Sequence, residues 1–468
     1  MKFYNTLSRQ LEEFKPIKDK EVGIYSCGPT VYWNQHIGNM YAFTQWDLLV
    51  RTLRFMGYKV TWVMNITDVG HLTSDADTGE DKMEKGAVRE GLTVWQIADK
   101  YITQFKESMN LLNIQTPDVL PRATEHIQEQ VDLIKKMEER EFTYKTKTGL
   151  VFDTSKFPQY ADFARLNLKE MEAGARVEVD PEKKQPWDFL LWVTNQPTHL
   201  MQWDSPWGKG FPGWHIECTA MSTKYLGETF DIHTGGKEHI PVHHTNEIAQ
   251  AFGAFGRQTA NYWLHNEWLN VKEGKLSKSG GETILVTDIM AKGFEPMHLR
   301  YLFLTSQYRT GIAFSWGSLE GAKSAYERLV GLLSNWKGEK ERTALSEEKM
   351  AKIAQFRNRF IEALSSDLNI PGALGVVWET VKSNIPDTDK YDLILSFDEV
   401  LGLRLVDAIE KRSSVTVPSD VSDLLQQREK ARAEKNFSEA DRFRKLIEEK
   451  GWVVEDKPGG AIVRKAVN

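Results

Sequence analysis

Two cysteines are all that 468 residues contain. That excludes a disulfide framework and suits a reducing compartment. No uninterrupted apolar run is long enough to span a bilayer, and the start, Met1-Lys2-Phe3-Tyr4-Asn5, has no apolar signal segment. A cytoplasmic protein is the expectation. Neither sign of charge dominates. A net charge of -6 argues against gross attraction to nucleic acid while leaving room for a local basic face. No internal repeat is visible, which excludes a solenoid, and no low-complexity tract. What remains is ordinary for a globular chain, 41% hydrophobic and 27% charged, enough for about three domains. The 15 tryptophans read mostly as packing residues.

Each cysteine sits in a distinctive setting. Cys27 follows the apolar run Val22–Ser26 and opens Cys27-Gly28-Pro29-Thr30. Cys218 closes Trp214-His215-Ile216-Glu217-Cys218, and His243-His244-Thr245-Asn246-Glu247 follows soon after. Two thiolates, the His243 imidazole and the Glu247 carboxylate would make a four-ligand zinc site. The cysteines are 191 positions apart, so the metal would join distant segments rather than form a zinc finger. Taken singly, each residue also fits a bland role. An isolated cysteine is usually a small buried hydrophobe, and a His and Glu four apart on a helix often pair or face solvent.

Residues 22–66 read as a βαβ unit. Val22–Ser26 is a buried strand, Ile37–Met56 an amphipathic helix ended by Gly57, and Lys59–Asn65 a β-branched strand. Such a unit is the nucleotide-binding half of a doubly wound sheet, with ligands at the carboxyl ends of its strands, where Cys27, Thr67 and Asp68 fall. Helices such as Thr124–Glu139 and short strands between 118 and 205 read as an insertion. Sheet character returns over 206–265, with a strand at Thr229–His233. Residues 310–411 are largely helical. A linker through Ser413–Pro418 leads to a tail with one charged helix from Val421 to Lys450 and a strand-like Gly451–Arg464.

Two further motifs suit phosphate. His36-Ile37-Gly38-Asn39 opens the first helix, where backbone amides attract anions and Gly38 permits close approach; a capping histidine is the alternative. Lys275-Leu276-Ser277-Lys278-Ser279 is a cationic loop able to neutralise a leaving pyrophosphate, or else a solvated turn.

Taken together these motifs resemble the cysteine-specific class I aminoacyl-tRNA synthetases. Cys27–Tyr32 with His36–Asn39 is similar to the family's CGPTVY and HIGH segment. Asn65–Val69, Ser205–Cys218, Phe230–His233, His243–Gln250, Lys275–Ser279 and the tail match further family motifs. The resemblance implies an α/β fold: a Rossmann-like parallel-sheet catalytic domain (1–117 and 206–265) with a connective insertion (118–205). A stem-contact region (266–309), a helical bundle (310–411) and a small anticodon-binding domain (421–468) follow. It implies zinc on Cys27, Cys218, His243 and Glu247, one per chain. It places Thr67 and Trp214 in the cysteine pocket with His233 beside it. It gives His36, Gly38, Asn39, Lys275 and Lys278 to ATP and its chemistry, with Mg²⁺ accompanying the nucleotide. The implied partners are L-cysteine, ATP and cysteine tRNA, with no membrane, on a monomer.

Such an enzyme would form cysteinyl-adenylate and then charge the 3′ ribose of the tRNA. Zinc suits the task because an apolar pocket separates cysteine from serine poorly, whereas zinc favours soft sulfur. In the tail, Arg428, Arg432, Arg442 and Arg444 would meet phosphate and Trp452 would stack on a base, or else they form an exposed helix face with one packed tryptophan. The chain departs from the family pattern in several places. Asn39 replaces the second histidine of HIGH, and Leu276 replaces a methionine. Lys82, the counterpart of an early DDKI lysine, arrives late after an acid- and Gly-rich stretch containing His71, Asp75 and Asp77. Thr234–His239 differs from the usual GGGxDL. Two alternatives stay open: a ligase joining cysteine to an amino sugar, and a non-catalytic tRNA- or zinc-binding paralogue.

Overall fold

The computed structural model describes residues 1–71, 81–168, 181–271, 283–337, 344–413, 417–457 and 460–465. Its centre is a parallel sheet in the order Ala260–Asn266, Phe230–Gly236, Glu21–Ser26, Lys59–Met64. The strands are nearly all buried, as sheets covered on both faces require. The helix Ile37–Phe55 carries the chain from Glu21–Ser26 to Lys59–Met64. The next two strands lie on the opposite side of Glu21–Ser26, in register Tyr25↔His233 and Ser26↔Thr234. The winding therefore reverses between the strands ending at Ser26 and Gly236, the crevice where ligands bind in such sheets. An N-terminal hairpin, Lys2–Asn5 with Gln10–Glu13, covers the outer edge, where Thr6 N–H donates to the Trp263 carbonyl at 2.8 Å.

The sheet also gains an outer segment. Met64 N–H donates to the Val119 carbonyl, Val119 N–H to Trp62, and Ile66 N–H to Pro121. The stretch expected to begin the insertion at 118 thus extends the sheet instead. The far boundary moves too. Gly210–Pro212 is the edge strand of a separate antiparallel sheet with Thr143–Lys145, Gly149–Phe152 and Phe189–Thr194. We therefore place the insertion between about Thr124 and Pro212. Its helix starts at Ile127 rather than Thr124, after a 3₁₀ turn at Ala123–Glu125. The strand expected at Thr229–His233 runs Phe230–Gly236.

Helices Pro296–Leu304, Trp316–Trp336, Glu347–Ser365, Ile370–Lys382, Asp387–Leu401 and Leu405–Ser413 form the helical part. It shares one core with the inner helix Ile37–Phe55. Among the described residues no helix is long and apolar enough to cross a membrane. The tail contains two helices, Ser419–Ala433 and Phe437–Glu449, where one was expected. Lys435 adopts φ +59 and Asn436 caps the second helix by accepting from Glu439 N–H, so the chain turns there. A hairpin, Trp452–Lys457 with Gly460–Lys465, follows. Val421, Ile447, Trp452 and Val454 make its core. Trp452 is 6% exposed, so it packs rather than offering a stacking face. Arg428 is also buried, gripping Asp456 with two hydrogen bonds of 2.9 and 3.0 Å. Arg432 pairs with Asp456 as well. Of the tail arginines proposed for phosphate, Arg442 and Arg444 stay largely exposed.

One buried ion pair joins sheet domain and helices. Arg300, wholly buried, donates to Asp47 Oδ2 at 2.6 Å and to the carbonyls of Leu401 (2.8 Å) and Leu112 (2.9 Å). Arg51 adds a second guanidinium contact to the same carboxylate at 2.8 Å. Asp47→Ala strands Arg300 in the interior and should destabilise the catalytic domain by about 3–5 kcal/mol, seen as a lower urea midpoint. Adding Arg300→Met should recover part of that loss.

Candidate metal centre and active site

The site begins with a close backbone approach. A Cβ on Gly28 would lie 1.7 Å from the Asn65 carbonyl oxygen, so only glycine fits between the ends of two strands. Gly28 N–H donates to Asn65 Oδ1 at 2.8 Å, and Cys27 N–H to the Thr234 carbonyl at 3.0 Å. These bonds fix Cys27 at the reversal point. Cys218 comes from the helix Trp214–Leu226, which crosses above the sheet. After Gly236 the chain makes a 3₁₀ turn and then a π-turn, Ile240–His244, before the helix Thr245–Phe255. The π-turn brings consecutive His243 and His244 both to buried positions, with Glu247 one turn further on.

Cys27, Cys218, His243 and Glu247 converge, each offering a ligand atom within 4.8 Å of the others. His243 Nε2 lies 3.4 Å from Cys218 Sγ and 3.1 Å from Glu247 Oε1. Glu247 Oε1 is buried and accepts no hydrogen bond. Burial pushes the Cys218 thiol up, but the Cys27 side chain and His243 more than reverse this, to about 7. Burial, with Cys218 next, drives the Cys27 thiol well up. Burial pulls His243 down, yet Cys218 and Glu247 raise it to about 10. Burial opposes ionisation of Glu247, and His233 and His243 overcome it, to about 2. Glu247, with Cys218 beside it, therefore supplies negative charge next to the His243 imidazolium, while Cys27 is held as a thiol. Two sulfurs, one imidazole and one carboxylate are a donor set that fits zinc.

Around these four lie polar groups that the sequence reading did not single out. His244 Nε2 is 3.2 Å from Cys27 Sγ, and with Cys27, His233 and Glu247 it forms a second four-donor group. His244 Nδ1 meets His265 Nε2 at 2.7 Å, and His265 Nδ1 meets Thr6 Oγ1 at 2.8 Å. His215 Nδ1 lies 2.9 Å from His243 Nδ1. Only the HH pair and the WHIEC run signalled them, and nothing local ties His265 to the site.

The predicted pocket residues take specific places. Thr67 donates its hydroxyl to buried Glu217 at 2.8 Å, and Glu217 also meets His71 Nε2 at 2.6 Å. The Trp214 ring lies 4.7 Å from the His243 ring. His233 is fully buried, stacked on Trp263 at 4.3 Å with its Nε2 2.8 Å from Glu247 Oε2, so it supports the carboxylate from below. Asp68 is an anchor, accepting from Arg122 at 2.7 Å and from Thr124.

At the helix start, His36 is the cap. Its Nδ1 accepts from Gly38 N–H (3.1 Å) and Asn39 N–H (3.2 Å), and Asn39 Oδ1 accepts from His36 N–H at 3.2 Å. A Cβ on Gly38 would crowd His36 Cε1 at 2.9 Å, so glycine lets the ring fold over the helix end. An accepting Nδ1 leaves the ring's proton on Nε2, facing away from the helix. Burial lowers the His36 pKa, which suits this neutral form. Asn39 spends its oxygen on the cap and keeps its amide NH₂ as a donor. Lys275 and Lys278, with the whole Lys275–Ser279 loop, lie outside the described residues, as do Asp75 and Asp77.

Comparison with known proteins adds the family. Residues 13–324 match the family model for the tRNA synthetases class I (C) catalytic domain, and residues 415–464 match the cysteinyl-tRNA ligase anticodon binding domain. The chain is 42% identical to a cysteine–tRNA ligase of Treponema denticola, covering 99% of both chains. It is 45% identical to cysteine–tRNA ligase 1 of Burkholderia lata, covering 98% of this chain and 95% of that one. In fold it is similar to Mycobacterium tuberculosis methionyl-tRNA synthetase bound to methionyl-adenylate, with a TM-score of 0.55 at 14% identity, over 86% of this chain and 94% of that one. The chain therefore belongs to the cysteine–tRNA ligase family of class I aminoacyl-tRNA synthetases.

Proposed function

We propose that the protein activates L-cysteine with ATP and transfers it to the 3′-terminal ribose of cysteine tRNA. The observation that carries this reading is the convergence of Cys27, Cys218, His243 and Glu247 at the sheet's reversal point, where the first strand also leads into the His36-capped helix. Zinc held by these four residues would take the substrate sulfur as a thiolate and reject serine's hydroxyl. Thr67 and Trp214 flank the amino-acid pocket. Glu217, held by His71, fixes the Thr67 hydroxyl.

In the first half-reaction a cysteine carboxylate oxygen attacks the α-phosphorus of ATP. The bond to the β-phosphate breaks and pyrophosphate leaves; Mg²⁺ bound with the nucleotide would offset its charge. Such a displacement needs positioning and charge stabilisation more than a base. The helix N-terminus supplies oriented amides, with the His36 Nε2–H and the Asn39 amide as further donors. Lys275 and Lys278 supply the cations that follow the leaving group. In the second half-reaction a ribose hydroxyl attacks the acyl carbon and AMP departs. The tail favours a tRNA substrate over an amino sugar, because residues 415–464 match an anticodon-binding domain.

Five results would test this reading. Cysteine-dependent ATP–pyrophosphate exchange should be present, and elemental analysis should find one zinc per chain. In Cys218→Ser, zinc should be lost and the KM for cysteine should rise, with ATP binding nearly intact; a metal-free variant of full activity refutes the metal assignment. Lys278→Ala should slow single-turnover adenylate formation by on the order of 10²–10³ with little change in cysteine affinity. Removing residues 421–468 should leave pyrophosphate exchange intact and impair tRNA charging. Equal charging with and without the tail would favour the amino-sugar ligase.

A further inference from the structure

The acid- and Gly-rich stretch that delays Lys82 in the sequence does not remove it from the pocket. Lys82 N–H donates to the His71 carbonyl at 3.3 Å, so the chain returns to the point where it left. Asp81 caps the helix Lys82–Glu90 by accepting from Met83 N–H and Glu84 N–H, and His199 Nε2 meets its other oxygen at 2.7 Å. Lys82 is therefore the first residue of a helix anchored from both sides.

Its side chain points at the amino-acid pocket. The half-buried ammonium lies 5.9 Å from the centre of the Trp214 ring and 5.7 Å from that of Tyr32. Trp214 in turn lies 4.7 Å from His243. Tyr32 belongs to the loop that joins Cys27 to His36. Lys82 thus stands beside Trp214, which borders the donor cluster, and beside Tyr32 on the loop leading to His36. Among the described residues it makes no ion pair. Against the described residues this partly desolvated cation has only ring faces, which leaves it able to pair with an anionic ligand. The neighbouring carboxylate, Glu217, is fully buried and already takes hydrogen bonds from Thr67 and His71.

We propose that Lys82 binds the α-carboxylate of the amino-acid substrate, the group that attacks the α-phosphorus. This rests on the reading of the reaction given above. The thiol and the carboxylate are then held from different sides of Trp214, the sulfur at the donor cluster and the carboxylate at Lys82. The cation also offsets the repulsion between the attacking carboxylate and the triphosphate, and it stays in contact as the carboxylate becomes an acyl phosphate.

Cysteamine, which keeps the thiol and the amine but lacks the carboxylate, isolates this contact. Calorimetric titration of the zinc-loaded protein should show wild type preferring cysteine to cysteamine by on the order of 10–100-fold, the span of a charged hydrogen bond. Lys82→Met should lose most of that preference by weakening cysteine alone, with zinc content and cysteamine affinity unchanged. Lys82→Arg should keep much of it. A Met variant that retains the full preference overturns the proposal. So does a loss of cysteamine and cysteine binding together that Arg does not rescue. Wild type without cysteine-dependent exchange would instead defeat the reaction on which the proposal rests.

Discussion

A single guanidinium holds the two main parts of the molecule in register. Arg300 lies on a helix that is otherwise almost wholly apolar, yet it reaches Asp47 in the first crossover helix and the carbonyls that end two other segments. Asn113 adds to the same junction by donating to the Gly402 carbonyl at 2.8 Å. Gly402 must be small there, because a Cβ would lie 2.6 Å from the guanidinium. A buried charge tolerates few geometries, since its desolvation is offset only when every donor finds an acceptor. The angle between the crossover helix and the helical part is thereby fixed. With it is fixed the position of the His36 end of that helix over the sheet.

The donor cluster follows the same logic at higher density. Five histidines, two cysteines and a glutamate occupy adjoining buried positions, a costly arrangement unless each polar atom has a partner. The hydrogen bonds run outward from Glu247 to His233, from His243 to His215, and from His244 through His265 to Thr6. This network orients the ligand side chains before any metal arrives. Glu247 Oε1, which faces His243 Nε2 at 3.1 Å, and His233 Nδ1 make no hydrogen bond, so the network is incomplete on both sides of this pair.

Much of this was legible because the telling residues are local. The Cys27–Asn39 segment, the WHIEC run and the HH pair are contiguous stretches whose chemistry can be read without knowing the fold. The βαβ unit was equally plain, since its strand and helix periods are strong. What escaped was non-local. Arg300 reads as one charge in an apolar helix, and only the fold brings Asp47 to it. His265 enters the site through the pairing of its strand with Gly235, 30 residues earlier in the chain. At the edges of the insertion, strand pairing rather than composition decides which sheet a segment joins: Val119 pairs with the central sheet and Gly210–Pro212 with the other. In the tail, Lys435 and Asn436 look helical in a charged run, yet the chain turns there. Arg428 and Trp452 looked like RNA contacts by residue type, whereas Asp456 and a small core claim them.

The wide separation of the two cysteines has a consequence for how the molecule is made. Cys27 leaves the ribosome 191 residues before Cys218. At translation rates of about 5–20 residues per second, this gap lasts on the order of 10–40 s. Throughout that interval the nascent chain carries a lone thiol with no sulfur partner, no His243 and no Glu247. Neither the other three donors nor the strand Phe230–Gly236 that flanks Cys27 can shield it. Assembly of the centre is therefore a late, post-insertion event in synthesis, and the vulnerability of the newborn chain to oxidants is set by elongation speed.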